Sequence, residues 1–174
     1  MNLVTALAVV IGVLGAIATY LFLGPAGGLG LQIWAAFIAW GSFFHCGGNE
    51  AALKSSVIAN LWGSVWATIA FALILNVGIG ELPLNAAVWV GVTVALMILG
   101  AHLPLFGAIP AAVYGYAATA GFIILALFVP GTLSNATLFS LVPGQGPFIT
   151  IGLSMIIGAL FGLVSGKIAG ALAK

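Results

Sequence analysis

The chain has 174 residues, of which 64% are hydrophobic and only 3% are charged, and its formal net charge is +1. A soluble domain carries roughly a quarter charged residues because its surface faces water, so this composition excludes a soluble protein and predicts one that faces a lipid bilayer. It also excludes the basic patch of a nucleic-acid-binding protein, and the single cysteine, Cys46, excludes an internal disulfide.

Long apolar runs predict membrane-spanning helices rather than strands. Residues 3–23 form one continuous apolar stretch, and a helix needs roughly 20 such residues to cross a bilayer. The strands of a membrane barrel would instead alternate apolar and polar side chains. The predicted fold class is therefore all-α, a polytopic bundle of about six transmembrane helices with short loops. It forms a single transmembrane domain over residues 1–174.

The predicted spans follow one another along the chain, with turn-rich breaks between them. They cover about 3–23, 30–45, 55–77, 84–100, 108–129 and 148–171. The first span lacks the basic start and the cleavage site of a signal peptide, so we expect it to be retained. Asn49 is predicted to cap the third helix, with Glu50 in its first turn paired to Lys54 four residues on.

Three lysines predict the orientation in the membrane. With six spans, Lys54, Lys167 and Lys174 fall on one side, which the positive-inside bias makes the cytoplasmic one. Both termini would then be cytoplasmic, whereas Glu81 and the loop of residues 130–147 would face outward.

A weak similarity between two parts of the sequence suggests an internal duplication. Aligning Trp62-Gly63 with Tyr114-Gly115 matches the second and third spans to the fourth and fifth. Repeats of two spans would share one orientation, whereas a three-plus-three split would be inverted. The sequence pattern leaves both arrangements open.

The third span carries a polar ridge, because four polar residues recur every four positions: Ser56, Asn60, Ser64 and Thr68. Polar side chains are unfavourable against lipid, so the ridge faces another helix or water. Two interpretations follow: hydrogen bonds between helices, typically worth about 0.6 kcal/mol each, or the lining of a pore.

Small residues predict close helix packing. The last span repeats glycine every fourth residue, at Gly158, Gly162, Gly166 and Gly170. Gly63 and Gly115 stand in similar small-residue rows on the third and fifth spans. Such grooves drive helix association in lipid, either within one chain or between subunits. We therefore expect a homo-oligomer, with a trimer favoured.

Two histidines and three tryptophans complete the candidate solute-contact set. His45 and His102 each follow a short span and precede a break. They either cap helix carbonyls, contact a polar solute, or bind a soft metal with Cys46. No recognised metal-ligand spacing is present, so we predict neither a metal nor a cofactor. The tryptophans that could wall a narrow path are Trp40, Trp62 and Trp66.

The stretch from Trp34 to Gly48 (WAAFIAWGSFFHCGG) resembles the YcdZ-like family of small bacterial inner-membrane proteins. The likeness extends over nearly the whole chain in length and span layout. Because that family is a domain of unknown function, the resemblance implies a bacterial inner membrane and about six spans. It implies no substrate and no catalytic residues.

The function predicted from these features is passage of a small molecule. The chain has no Asp or Arg and no serine–histidine–acid set on one hairpin, so we do not expect an enzyme. An uncharged polar ridge favours a channel or facilitator for a small neutral polar solute of the urea, ammonia or short-amide class. The alternatives are an alternating-access transporter for a metal or small organic solute, and a membrane assembly partner without a conducted solute.

Overall fold

The computed structural model describes residues 1–127 and 133–173, and every regular element in these ranges is helical. The end of the predicted span 108–129, the start of the loop 130–147 and Lys174 lie outside the described residues. The helices are α1 (Leu3–Leu23), α2 (Ile33–His45), α3 (Glu50–Asn76), α4 (Leu82–Leu99), α5 (Ile109–Leu127), α6 (Asn135–Leu138) and α7 (Pro147–Leu172). Short 3₁₀ turns at 27–29, 100–102 and 104–106 precede α2 and α5.

Within the described residues, five helices are long and apolar enough to cross a membrane: α1, α3, α4, α5 and α7. The sixth predicted span is α2, which has only 13 residues. At 1.5 Å per residue it rises about 20 Å, less than the roughly 30 Å of a hydrocarbon core. The predicted all-α membrane bundle is therefore confirmed, with five long apolar helices, while the second predicted span is a short apolar helix.

The start of α3 confirms the predicted cap and changes the predicted ion pair. The Asn49 side chain accepts a hydrogen bond from the Ala52 amide at 2.9 Å, which satisfies one of the free N–H groups of the first turn. Glu50 does not pair with Lys54. Instead it accepts a 2.7 Å bond from Lys167 of α7, because the end of α7 lies beside this turn.

Helices α3 and α5 lie side by side and run in the same direction. Gly63 lies against the carbonyl oxygen of Ala112, and Gly115 lies against that of Asn60. Further along both helices, Phe71 contacts Ile123. A Cβ at either glycine would overlap the backbone of the other helix, so glycine is what allows the two helices to touch.

Helices α2 and α7 form a second parallel pair. The Gln32 amide donates to the Ser154 hydroxyl at 2.9 Å, Gly158 lies against the Ala36 carbonyl oxygen, and Gly162 lies against the Phe43 ring. The predicted glycine groove is therefore filled, along this stretch, by α2 of the same chain.

The two parallel pairs point in opposite directions. The chain turns back within residues 46–49, so α3 runs against α2. Helix α1 runs against α7, with Ala6 beside Ala169 and the Met1 amino group 3.4 Å from the Leu172 carbonyl oxygen. Successive passes thus alternate in direction, and residue 1 lies at the same end of the bundle as residue 172.

Candidate functional site

Three uncharged side chains form a closed hydrogen-bonded ring between α2 and α3. Ser56 Oγ donates to Ser42 Oγ at 2.8 Å, Ser42 Oγ donates to Asn60 Oδ1 at 3.2 Å, and Asn60 Nδ2 donates to Ser56 Oγ at 3.3 Å. All three residues are at most 1% exposed. We call Ser42, Ser56 and Asn60 the polar triad.

The rest of the α3 ridge continues the polar line toward the other end of the bundle. Thr119 of α5 donates to Ser64 Oγ at 2.7 Å, and Thr68 donates to the Ser64 carbonyl oxygen at 2.9 Å. Ser64 and Thr119 are fully buried, and Thr68 is 7% exposed. The structure therefore buries all four predicted ridge residues. Side chains of α2 and α5 bond Ser56, Asn60 and Ser64, whereas Thr68 lines a cavity beside Leu138 and Phe148.

A cavity of about 410 Å³ opens at the end of the bundle where α2 stops and α5 starts. It is lined by the end of α2, the start of α3 and the turn before α5: His45, Cys46, Ser55, Pro104, Leu105, Gly107, Ala108, Pro110 and Ala111. We call it the His45 cavity. Because Ser55 precedes Ser56 in the chain, this cavity lies next to the polar triad.

His45 and Cys46 connect the His45 cavity to neighbouring polar groups. His45 Nδ1 is 2.9 Å from the Tyr114 hydroxyl of α5. The Cys46 N–H donates to the Ser42 carbonyl oxygen at 2.9 Å, and burial raises the pKa of the Cys46 thiol. Cys46 therefore lies in the cavity wall one helical turn after Ser42 of the triad.

A second cavity, of about 380 Å³, lies at the opposite end of α2 and α5. It is lined by Gln32, Phe122, Leu125, Ala126, Thr137, Gly144 and Gln145. We call it the Gln145 cavity. Gln32 Nε2 donates to the Gly30 carbonyl oxygen at 2.7 Å, and its Oε1 accepts from Trp34 at 3.0 Å.

A third cavity, of about 360 Å³, opens sideways between α2 and α5. Its walls are Phe37, Ile38, Gly41, Ser42, Tyr114 and Ala117. Ser42 of the polar triad and Tyr114, the partner of His45, both line it. One residue of the polar triad is therefore also a wall residue of this lateral cavity.

The predicted tryptophans lie apart from the polar ridge. The Trp40 indole donates to Ser165 of α7 at 2.9 Å, and the Trp62 indole donates to the Met97 carbonyl oxygen at 3.0 Å. Trp66 meets Trp62 edge to face. Two residues along a helix correspond to about 200° of rotation, so Trp62 points away from Asn60. These rings pack helices together and do not surround the ridge.

His102 is exposed in a 3₁₀ turn and is absent from the walls of the His45 cavity. The two predicted histidines are therefore not brought into one site by the described residues. In the same part of the chain, no group of three His, Cys, Asp or Glu side chains could hold a metal ion.

Sequence reasoning missed two central members of the polar line, Ser42 and Thr119. Ser42 is an isolated hydroxyl in an apolar helix, and the rule that found the α3 ridge applies to it too, because a polar residue there avoids lipid. Thr119 stands in the small-residue row of α5 four residues after Gly115. Its size and spacing suggested packing alone.

The helical bundle and its five long apolar helices define a multi-pass helical membrane protein. Residues 8–170 match a family model described as Protein of unknown function (DUF1097), and the chain belongs to that family. No curated protein and no solved structure matches the chain. The resemblance noted in the sequence is thus confirmed at the level of an uncharacterised domain family, while the YcdZ-like name and a bacterial source stay predictions.

Proposed function

We propose that the protein is a facilitator that passes a small, neutral, polar solute of the urea, ammonia or short-amide class across a membrane. The observation that carries this proposal is the polar triad, an uncharged hydrogen-bonding site buried between cavities at both ends of the bundle. A serine hydroxyl both donates and accepts, and an asparagine amide offers both groups as well. Such a site matches a solute that also carries a donor and an acceptor.

The uncharged character of the buried polar residues supports a neutral solute. In the described part of the chain, the buried residues with non-aromatic polar side chains are serine, threonine or asparagine. An ion leaving water would need charged or densely dipolar partners to replace its hydration. A neutral amide needs only hydrogen bonds, which the polar triad and the Ser64–Thr119 pair supply.

Two of the three triad bonds are longer than usual. The bond from Ser42 to Asn60 is 3.2 Å long, whereas hydroxyl-to-oxygen bonds usually fall between about 2.5 and 3.0 Å. The bond from Asn60 to Ser56 is 3.3 Å long, beyond the usual range of about 2.7 to 3.2 Å for an amide donor. These are the two bonds with which a solute would compete.

A second candidate function, carriage by alternating access, is favoured by the burial of the centre. Ser42 and Ser56 have no exposed surface in this conformation, so a solute reaches them only after the helices move. A carrier of this kind shows saturable uptake, whereas a channel with an open path shows nearly linear flux. The concentration dependence of transport therefore separates the two mechanisms.

The test is stopped-flow light scattering on proteoliposomes with urea, formamide, acetamide and ammonia in turn. We expect at least one solute to cross faster than in empty liposomes, and Asn60→Ala to reduce that rate. Asn76→Ala is the matched control, because Asn76 is exposed at the end of the same helix. If no solute crosses faster than in empty liposomes, the proposal fails. If Asn60→Ala lowers only thermal stability, the triad serves packing alone, as an assembly partner would require.

We also propose that the end of the bundle bearing Lys54 and Lys167 faces the cytoplasm of a bacterial inner membrane, which follows from the positive-inside bias. A homotrimer stays a further proposal. Two of the glycines that suggested an oligomer, Gly158 and Gly162, pack against α2 of the same chain. Native mass spectrometry tests the oligomer, and a protein that is only monomeric would refute it.

A further inference from the structure

The two parallel helix pairs make the same contact in opposite directions. In one pair Gly63 of α3 meets the Ala112 carbonyl oxygen of α5, and in the other Gly158 of α7 meets the Ala36 carbonyl oxygen of α2. Since α3 and α7 run in opposite directions, no rotation about the membrane normal relates the two contacts. A two-fold axis in the membrane plane does, and that is the relation between inverted repeats.

The same correspondence appears in the sequence around each contact. Matching Ala36 to Ala112 also matches Trp40 to Tyr116, and each of these is a buried aromatic residue four positions on. The pattern that the two helices share is an alanine, a small residue three positions later and then an aromatic residue. This alignment relates α2 to α5, whereas the similarity found in the sequence alone, between Trp62-Gly63 and Tyr114-Gly115, related α3 to α5.

The contacts define two shifts in residue number: one carries α2 onto α5 (Ala36 to Ala112) and the other carries α3 onto α7 (Gly63 to Gly158). Applied to the polar triad, these shifts predict three residues of the other half of the bundle. The shift of α2 onto α5 carries Ser42 to Ala118, and the shift of α3 onto α7 carries Ser56 to Ile151 and Asn60 to Met155. The three predicted residues are Ala118, Ile151 and Met155, and they do lie together in one buried cluster. The correspondence therefore extends from single contacts to the interior, where one half is polar and the other apolar.

Two wall positions of the end cavities follow the same correspondence. Cys46 and Ala108 line the His45 cavity. The shift relating α2 and α5 carries Cys46 to Phe122 and Ala108 to Gln32, and both of these line the Gln145 cavity. The two cavities therefore share these two equivalent wall positions at opposite ends of the bundle.

We propose that the Gln145 cavity is the second mouth of the solute path, related to the His45 cavity by an inverted duplication that sets α1–α3 against α4, α5 and α7. This inference rests on the proposed function for the path itself. Gln32 and Gln145 carry amide groups that donate and accept hydrogen bonds, so the second mouth suits the same small neutral solutes as the polar triad.

The arrangement also defines the order in which a solute meets the polar groups along the path. A solute entering from the Gln145 cavity passes the Ser64–Thr119 pair before it reaches the polar triad and Cys46. The equivalent line in the other half has Ala159 in place of Ser64 and Phe43 in place of Thr119, and both are fully buried. That line offers no side-chain hydrogen bond, so the duplication provides one polar route.

Site-directed thiol labelling tests the proposal, because Cys46→Ser leaves a chain without cysteine. In that background Gln145→Cys and Ser55→Cys each place one thiol in one cavity. Ala171→Cys and Val142→Cys serve as controls, since both positions are exposed and neither lines either cavity. The flux of each variant after modification is compared with the flux of the same variant before modification, so any effect of the substitution itself does not enter; a variant without flux before modification is replaced by Leu125→Cys or Leu105→Cys, which line the same two cavities.

We expect a membrane-impermeant thiol reagent to label Gln145→Cys from one face only and Ser55→Cys from the other face only. Modification at either position should reduce solute flux to the rate of empty liposomes, while the modified controls keep the parent rate. Labelling of both cavities from the same face refutes the inverted arrangement. Unchanged flux after modification at Gln145→Cys refutes the second mouth. If the unmodified parent shows no flux, the proposed function and the path fall together, and opposite-face labelling would then support only the placement of the two cavities.

Discussion

Gly158 of α7 lies directly against the carbonyl oxygen of Ala36 in α2, and a Cβ there would overlap that backbone. The next glycines along the row are progressively freer: a Cβ at Gly162 would be 2.7 Å from the Phe43 ring, and one at Gly166 would be 3.7 Å from Phe44. Gly170 has no neighbour within 4 Å. The free space beside these glycines therefore increases along α7, from a backbone contact at Gly158 to no neighbour at Gly170.

Alanine substitution along this row should reproduce that gradient. Gly158→Ala is expected to destabilise the protein by about 3 kcal/mol, the upper end for overpacking, because backbone cannot move aside as a side chain can. Gly162→Ala should cost less, since the Phe43 ring can shift. Gly170→Ala should stabilise slightly, by about 0.5–1 kcal/mol, because alanine is the better helix former. Thermal unfolding in detergent measures all three.

An unchanged melting temperature for Gly158→Ala would contradict the close contact between α2 and α7. If Gly162→Leu splits an oligomer without unfolding the protomer, the glycine groove instead lies at a subunit interface.

The bond between Ser64 and Thr119 should appear as an energetic coupling between α3 and α5. A double-mutant cycle with Ser64→Ala and Thr119→Val should give a coupling of about 0.6 kcal/mol, the average for hydrogen bonds between membrane helices. Ser64→Ala combined with Ser165→Ala is the control, because Ser165 bonds Trp40 and Gly162 instead. The control pair should be additive, and equal coupling in both pairs would contradict the assignment.

Trp62 and Trp66 should respond differently to replacement by phenylalanine. The Trp62 indole donates to the Met97 carbonyl oxygen at 3.0 Å, whereas the buried Trp66 N–H has no partner among the described residues. Trp62→Phe should cost about 0.5–1.5 kcal/mol, because it removes one hydrogen bond, while the Met97 carbonyl oxygen still accepts from the Gly100 N–H. Trp66→Phe removes an unsatisfied donor and should cost less. Chemical unfolding of the two variants side by side decides this, and a larger loss for Trp66→Phe would count against it.

Cys46 should react slowly with maleimide at neutral pH. Burial raises the pKa of its thiol, and only the thiolate is the nucleophile. A raised pKa means a smaller thiolate fraction at any given pH, so the labelling rate should keep rising to a higher pH than for an exposed cysteine. Val142→Cys in a Cys46→Ser background supplies the exposed reference, because Val142 is exposed in a loop away from a helix N-terminus. Coincident pH profiles for the two cysteines would contradict the raised pKa.

The sequence predicted those features that local chemistry determines. Asn49 caps α3 because an asparagine before an apolar run can accept the free amides, and the α3 ridge is buried because polar groups avoid lipid. The partner of Glu50 could not be predicted in this way. Lys54 is its helical neighbour, but Lys167 reaches it from 117 residues away along the chain.

The direction of helix packing was likewise beyond the sequence. The pattern around Gly63 and Gly115 suggested that their segments were equivalent copies, whereas in the structure these glycines face each other across one contact. Small residues mark where helices touch, but they do not say whether the two helices are copies or partners.

The short helix α2 has a consequence for the surrounding lipid. Its 13 residues span about 20 Å against a hydrocarbon thickness of roughly 30 Å, so a thinner bilayer matches the bundle better on the side where Phe37 is exposed. Hydrophobic mismatch costs a fraction of a kcal/mol per Å. The acyl-chain length of the host membrane therefore acts on α2 directly, and through Ser42 on α3, which carries the other two residues of the polar triad.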